Sequence, residues 1–215
     1  MKKWYQYQKE RFPFWFYLPF SAAFTWSTMC LAGSGRKTLI FLYLWFMVLS
    51  FFMLFRIADE HKDYEEDCIK HPERPVQRKL VSLTELKNIG VALLLAQILI
   101  TILFYPIAVP IYAIVLFYFL LMTKEFYSRT ILKKHPFIYG ALHQIVLVLL
   151  DYLIIITSKL TYQVTKQPMY FLYVIGRFLC FFSVFLCKEM HKKSRLKLAY
   201  FLTALYMGVV CYLYL

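Results

Sequence analysis

The sequence predicts an all-α membrane protein, a polytopic helical bundle of about seven transmembrane helices. Three observations carry this. Hydrophobic residues make up 61% of the 215 positions and charged residues only 17%, against about 25% charged in ordinary soluble domains. The charges come in clumps between long apolar runs. Seven of those runs have the roughly 17–25 residues that a helix needs to cross a bilayer. This pattern excludes a soluble globular enzyme, a disordered chain and a disulfide-stapled secreted domain.

The elements follow in order. Residues 1–13 form a basic amino-terminal segment with Lys2, Lys3, Lys9 and Arg11. Basic charge before an apolar run can open a signal peptide, but this run is too long and no small-x-small cleavage site follows it. Spans are expected at 14–33, 38–56, 88–105, 106–123, 137–157, 168–187 and 198–215. The third and fourth meet at Tyr105 and Pro106, where a tight hairpin is expected, because proline starts helices well and continues them badly. Residues 14–215 thus read as one transmembrane domain, with loops at 57–87, 124–136 and 188–197.

Lysine and arginine set the orientation. The amino terminus, 56–87, 124–134 and 188–197 hold four, seven, four and five of them. The alternate loops hold two, none and two. By the positive-inside rule the richer side is cytoplasmic. An integral, multi-pass protein of the cell's inner membrane is expected, with its amino terminus cytoplasmic and its carboxyl terminus outside. The net charge of +13 is then mostly topology and does not imply nucleic acid. The five cysteines show no CxxC spacing and read as packing residues. The sequence says nothing of oligomeric state.

One stretch is chemically unusual. Asp59, Glu60, Asp63, Glu65, Glu66 and Asp67 are six of the chain's twelve acids, set within nine residues where the second span leaves the membrane. On a helix at about 100° per residue, with Asp59 at the origin, Asp63 falls at about 40°, Asp67 at about 80° and Glu60 at about 100°. Four carboxylates would share one face. Like charges at i,i+4 repel, so such a face needs a cation. Carboxylates without nitrogen or sulfur ligands suit Mg²⁺, which takes one or two of them and leaves its other positions to water and phosphate. Arg74 and Arg78 follow, and guanidinium binds phosphate oxygens two at a time. The alternative is a solvated acidic loop neutralised by neighbouring lysines and arginines.

These residues resemble the UbiA superfamily of intramembrane prenyltransferases. Its first motif, NDxxDxxxD, is similar to Asp59-Glu60-x-x-Asp63-x-x-x-Asp67. Its RPxxxGxxS-like stretch is similar to Arg74-Pro75-Val76-Gln77-Arg78-Lys79-Leu80-Val81-Ser82, with Lys79 where glycine is usual. The place of the family's second acidic motif reads Cys187-Lys188-Glu189-Met190-His191-Lys192-Lys193, where Glu189 alone is acidic. The family fold has about nine helices, and this chain is short of that.

The resemblance implies a UbiA-like fold and Mg²⁺ held by Asp59, Glu60, Asp63, Asp67 and Glu189, with Asp59, Asp63 and Asp67 catalytic. Arg74, Arg78, Lys124 and Lys192 would neutralise the diphosphate of a prenyl donor. An allylic cation would form against aromatic faces, and a lipid-soluble acceptor, an aromatic ring or a hydroxyl, would attack it. Membrane lipid is the surrounding partner, and nucleic acid is not one.

Other polar residues lie within the apolar runs. Asp151 and Arg177 fall at matching depths on successive spans and are expected to pair. His143 could reach the same chamber, or could simply be a packing histidine, and Glu125 is a further carboxylate at the inner end of the fourth span. His61, His71, His135 and His191 show no zinc spacing. Two other readings stand beside the transferase. One is a catalytically degenerate relative that binds isoprenoid lipid or a protein partner. The other is a small-molecule transporter, whose polar residues would line a path. A CDP-alcohol phosphotransferase should carry DGxxAR, which is absent.

Overall fold

A computed structural model describes residues 2–34, 37–162, 170–189 and 193–214. Among them the chain is helical and contains no strand. The helices are α1 (Lys2–Arg11), α2 (Phe14–Leu31), α3 (Thr38–Lys62), α4 (Tyr64–Lys70), α5 (Leu83–Phe104), α6 (Val109–Thr123), α7 (Arg129–Lys134), α8 (Pro136–Tyr162), α9 (Tyr170–Glu189) and α10 (Lys193–Tyr214). Short 3₁₀ turns, Pro106–Ala108 and Glu125–Tyr127, precede and follow α6.

Each expected span coincides with a helix over most of its described residues, but among the described residues six stretches, rather than seven, are long and apolar enough to cross a membrane. These are Thr38–Lys62, Leu83–Phe104, Pro106–Thr123, Pro136–Lys159, Tyr170–Lys188 and Arg195–Leu213. The expected first span, α2, is 18 residues long with Pro19 inside it. Its serines, threonines, tryptophans and tyrosine hold down its apolarity. The helix break at Tyr105 and Pro106 falls where expected. The α3 helix runs on past its expected end to Lys62, which carries Asp59 and Glu60 on its last turns.

Helix contacts divide the chain into two compact units, Met1–Ala22 with Tyr43–Pro106, and Ala23–Leu42 with Ile107–Leu215. In the first, polar side chains stitch α3 to α5. Gln97 donates to Ser50 at 2.7 Å, and the hydroxyls of Tyr43 and Thr101 meet at 3.0 Å. Such bonds hold helices together where lipid offers no hydrophobic drive. A smaller core of Tyr7, Ile57, Val76, Val81 and Leu86 lies under the loop between α4 and α5.

In the second unit, α9 packs on α8 and α10, and α8 also packs on α6. Small residues allow close approach. A side chain on Gly140 would collide with the Phe185 ring, and one on Gly176 would collide with Tyr206, whose hydroxyl donates to the Tyr173 carbonyl at 2.8 Å. Large apolar side chains such as Leu103, Phe117, Phe171 and Phe201 are more than half exposed, as contact with hydrocarbon requires.

The expected ion pair forms in this second unit. Arg177 Nη1 lies 2.7 Å from Asp151 Oδ1, and both side chains are 1% exposed. Thr28 donates to Asp151 at 2.7 Å, and Arg177 also donates to Ser27, to Thr28 and to the Phe24 carbonyl. The rings of Phe24 and Tyr173 stand 4.2 and 4.7 Å from the guanidinium carbon. Removing one partner strands a buried charge, which typically costs about 3–5 kcal/mol, whereas replacing both by apolar residues can be neutral. Asp151→Ala should therefore lower the thermal unfolding temperature in detergent markedly, and the double variant Asp151→Leu/Arg177→Met should recover most of the loss.

Candidate functional site

The acidic stretch straddles a bend. The α3 helix ends at Lys62 and α4 starts at Tyr64; Asp63 between them has φ −100° and ψ 9°. Helical amide bonds continue through it, Asp63 N–H to the Asp59 carbonyl at 2.9 Å and Asp67 N–H to the Asp63 carbonyl at 2.8 Å. The side chains nevertheless meet different surroundings. Asp59 is 43% exposed, with Arg56 at 3.2 Å and Lys62 at 3.5 Å. The Lys62 ammonium also lies 4.0 Å from Asp63, which is 38% exposed. One cation therefore stands within reach of both carboxylates.

Glu60 and Asp67 are turned to other tasks. Glu60 is fully buried, and its Oε1 accepts from Arg11 Nε at 2.5 Å, with Arg56 Nε at 3.8 Å. Tyr7 is buried beside this group, and burial together with the charge of Glu60 raises its phenol pKa, keeping it a proton donor. Asp67 is paired with Arg74. Glu66 is paired with Lys70 at 2.5 Å and holds that ammonium above its ordinary pKa. Among the described residues no three or more His, Cys, Asp or Glu side chains are grouped to hold a metal ion. Mg²⁺ needs only one or two carboxylates when phosphate supplies the rest. Asp59 and Asp63, with hard oxygen donors around one cation position, fit that demand, whereas Glu60 gives Oε1 to the arginines and keeps Oε2 buried without a hydrogen-bond partner.

The arginine-proline stretch is a structural device. Leu80 N–H bonds the Pro75 carbonyl at 2.8 Å and Lys79 N–H bonds the Val76 carbonyl at 3.0 Å. This pairing closes a turn in the Schellman manner, with its penultimate residue in the left-handed region. That residue is Lys79, at φ 63°. Glycine adopts this conformation at no steric cost, so the departure from the family pattern falls where backbone geometry favours glycine. Ser82 then caps α5 reciprocally with Glu85: the Glu85 amide donates to the Ser82 hydroxyl at 3.1 Å and the Ser82 amide to the Glu85 carboxylate at 3.0 Å. A cavity of ≈ 330 Å³ opens beside this loop, lined in part by Tyr64, Lys79 and Ser82. Arg78 bonds Glu10 at 2.7 Å.

The other candidates lie in the second unit or outside the described residues. Lys124 is exposed and the adjacent Glu125 is buried. Glu125, Phe126 and Tyr127 form a left-handed turn with φ of 49°, 52° and 56°, rare for large side chains. His143 is half-buried, with Nδ1 2.9 Å from the Tyr139 carbonyl. A carbonyl only accepts, so Nδ1 carries the proton. Glu189 ends α9; its side chain, and all of Lys192, lie outside the described residues. Sequence reasoning missed Arg11, Arg56, Tyr7 and Glu10. Arg56 was visible as an i,i+4 partner of Glu60, but Arg11 had been counted only as topology.

The described helices and the acid-and-arginine loop define a multi-pass membrane protein with a polar helix-end site. A family model of the UbiA prenyltransferase family matches residues 20–213, and the chain belongs to that family. No curated protein and no solved structure matches it.

The Lys79 geometry yields a prediction. A non-glycine residue in the left-handed region is strained by about 1–2 kcal/mol, and glycine returns part of this through its freer unfolded chain. Lys79→Gly should raise thermal stability modestly, by up to about 1 kcal/mol, and Lys79→Val should lower it.

Proposed function

We propose that the chain transfers a prenyl group from a polyprenyl diphosphate to an aromatic or hydroxyl acceptor dissolved in the membrane. The observation that carries this reading is the pairing of Asp59 and Asp63 around one cation position, on a stretch similar to the acidic motif of the family to which the chain belongs. Asp59 and Asp63 would hold Mg²⁺ when the donor arrives, displacing Lys62. Bound Mg²⁺ supplies charge neutralisation to the departing diphosphate. Asp67 holds Arg74 by Nη1 and so orients the rest of its guanidinium towards phosphate oxygens, which it meets two at a time. Arg78, Lys124 and Lys192 are further cations for the leaving group, and Glu189 is a second-motif carboxylate. His143 and Glu125 are proposed as polar residues of the chamber.

Purified protein given Mg²⁺ and labelled donors of C10 to C20 and longer should release diphosphate. EDTA and Asp63→Ala should each abolish that release. A second reading is favoured by the burial of Glu60 against arginine and by the single acid at the second motif: the protein binds isoprenoid lipid without transfer. Retained binding of labelled donor with no metal-dependent release would select it.

The orientation proposed is amino terminus cytoplasmic and carboxyl terminus outside. Lys37 and Cys68 are both exposed. In intact cells, Lys37→Cys should react with an impermeant thiol reagent, and Cys68 should react only after permeabilisation. The reverse pattern would overturn the orientation.

A further inference from the structure

Two thiols that prenyl transfer does not use meet in the second unit. Cys30 stands one residue from the end of α2 and Cys211 three from the end of α10, and both belong to that unit. Their side chains lie within hydrogen-bonding reach of each other. The packing around them brings the same two helix ends together. Leu31 and Val210, their neighbours in sequence, are buried in one core with Ile155, Tyr173 and Val174. Cys30 is 1% exposed, whereas Cys211 is partly exposed, and both are free thiols in the structure.

Two helix ends that touch lie on one side of the membrane, and the positive-inside count puts that side outside. Extracytoplasmic compartments oxidise thiols to disulfides, whereas the cytoplasm keeps them reduced. The other three cysteines lack this combination. Cys180 and Cys187 both lie on α9, about 10 Å apart along its axis, which is beyond disulfide reach. Cys68 is exposed and falls on the cytoplasmic side in the proposed orientation.

We propose that Cys30 and Cys211 form a disulfide that staples α2 to α10 on the outer side of the membrane, an inference that rests on the orientation proposed above. The oxidant is the disulfide of an extracytoplasmic thiol–disulfide oxidoreductase. Cys211, the more accessible thiol, loses its proton and attacks one sulfur of that disulfide. The other sulfur leaves as a thiolate and takes up a proton. Cys30 then loses its proton and attacks the Cys211 sulfur of the mixed disulfide, releasing the second oxidoreductase thiol. Two electrons and two protons pass to the oxidoreductase, and one sulfur–sulfur bond stays in this chain. The same end of α2 supplies Ser27 and Thr28 to the buried ion pair, so the staple holds those partners in place.

The test counts thiols in the full chain. Cells making the protein, with their oxidising compartment intact, are denatured in excess N-ethylmaleimide before any reductant is added, and the mass of the purified chain gives the number of groups taken up. Five cysteines less the bonded pair leave three, so the parent should take up three groups, and five once it is reduced first. Cys30→Ser and Cys211→Ser should each take up four, with or without reduction, because each variant frees the remaining partner. Uptake of five groups by the unreduced parent would overturn the proposal, and labelling of Lys37→Cys from outside then shows whether the orientation fails with it. Uptake of two by either serine variant would place the bond elsewhere and overturn it as well. So would a reducible dimer in place of the bond within one chain. None of these counts needs turnover, so the proposal can fail while prenyl transfer stands, or stand while prenyl transfer fails.

Discussion

The ion pairs that Glu60 makes with Arg11 and Arg56 organise the first unit. A carboxylate with no exposed surface cannot stay charged without cations against it, because burial in a low dielectric disfavours the charge. Arg56 comes from the preceding turn of α3, but Arg11 comes from the amino-terminal helix. The pair therefore fixes α1 against α3, and with it Tyr7 in the core beneath Val76 and Val81. The loop from Arg74 to Ser82 rests on that same core. Glu60 is thus committed to holding a helix, and the loop from Arg74 to Ser82 is supported as a result.

The same rule governs the second unit. Asp151 and Arg177 pair with each other, and Ser27, Thr28 and the Phe24 carbonyl supply further partners. Here the pairing could be read from the chain, since two charges at equal depth on successive spans have little else to meet. For Glu60 it could not. Its second arginine lies 49 residues away, in a segment whose positive charge already had a sufficient explanation in topology.

This contrast marks what was legible. Span positions were, because bilayer thickness imposes a length and hydrocarbon imposes a composition. The α2 helix lay at the margin of that rule, since Ser21, Ser27 and Thr28 hydrogen-bond within the protein. Trp45, for example, donates to Ser21 at 2.9 Å. The common face of four carboxylates was not legible. A wheel treats the stretch as one straight helix in uniform surroundings. The real stretch bends at Asp63, and its neighbours differ on each side, so angles of about 40° and 100° translate into an open carboxylate and a buried one. Neutralisation by lysine and arginine, the alternative reading of these acids, and a cation position between Asp59 and Asp63 are both present. They are compatible, because a lysine that bridges two carboxylates marks the place a stronger cation would take.

The loop after the acids sharpens this further. Lys79 sits in a backbone conformation suited to glycine, between an arginine that pairs with an acid and a serine that caps a helix. Each of these positions has a local geometric reason, independent of any substrate. The arginine alone has two uses, since a guanidinium held at one nitrogen keeps donors for a second anion. The loop is therefore best understood as a rigid mount: proline and the left-handed turn set its path, Ser82 and Glu85 anchor its end, and Asp67 holds Arg74 at a set angle. Mutating the mount should disturb folding first, and only Arg74 and the exposed pair of aspartates stand where loss of chemistry could be separated from loss of fold.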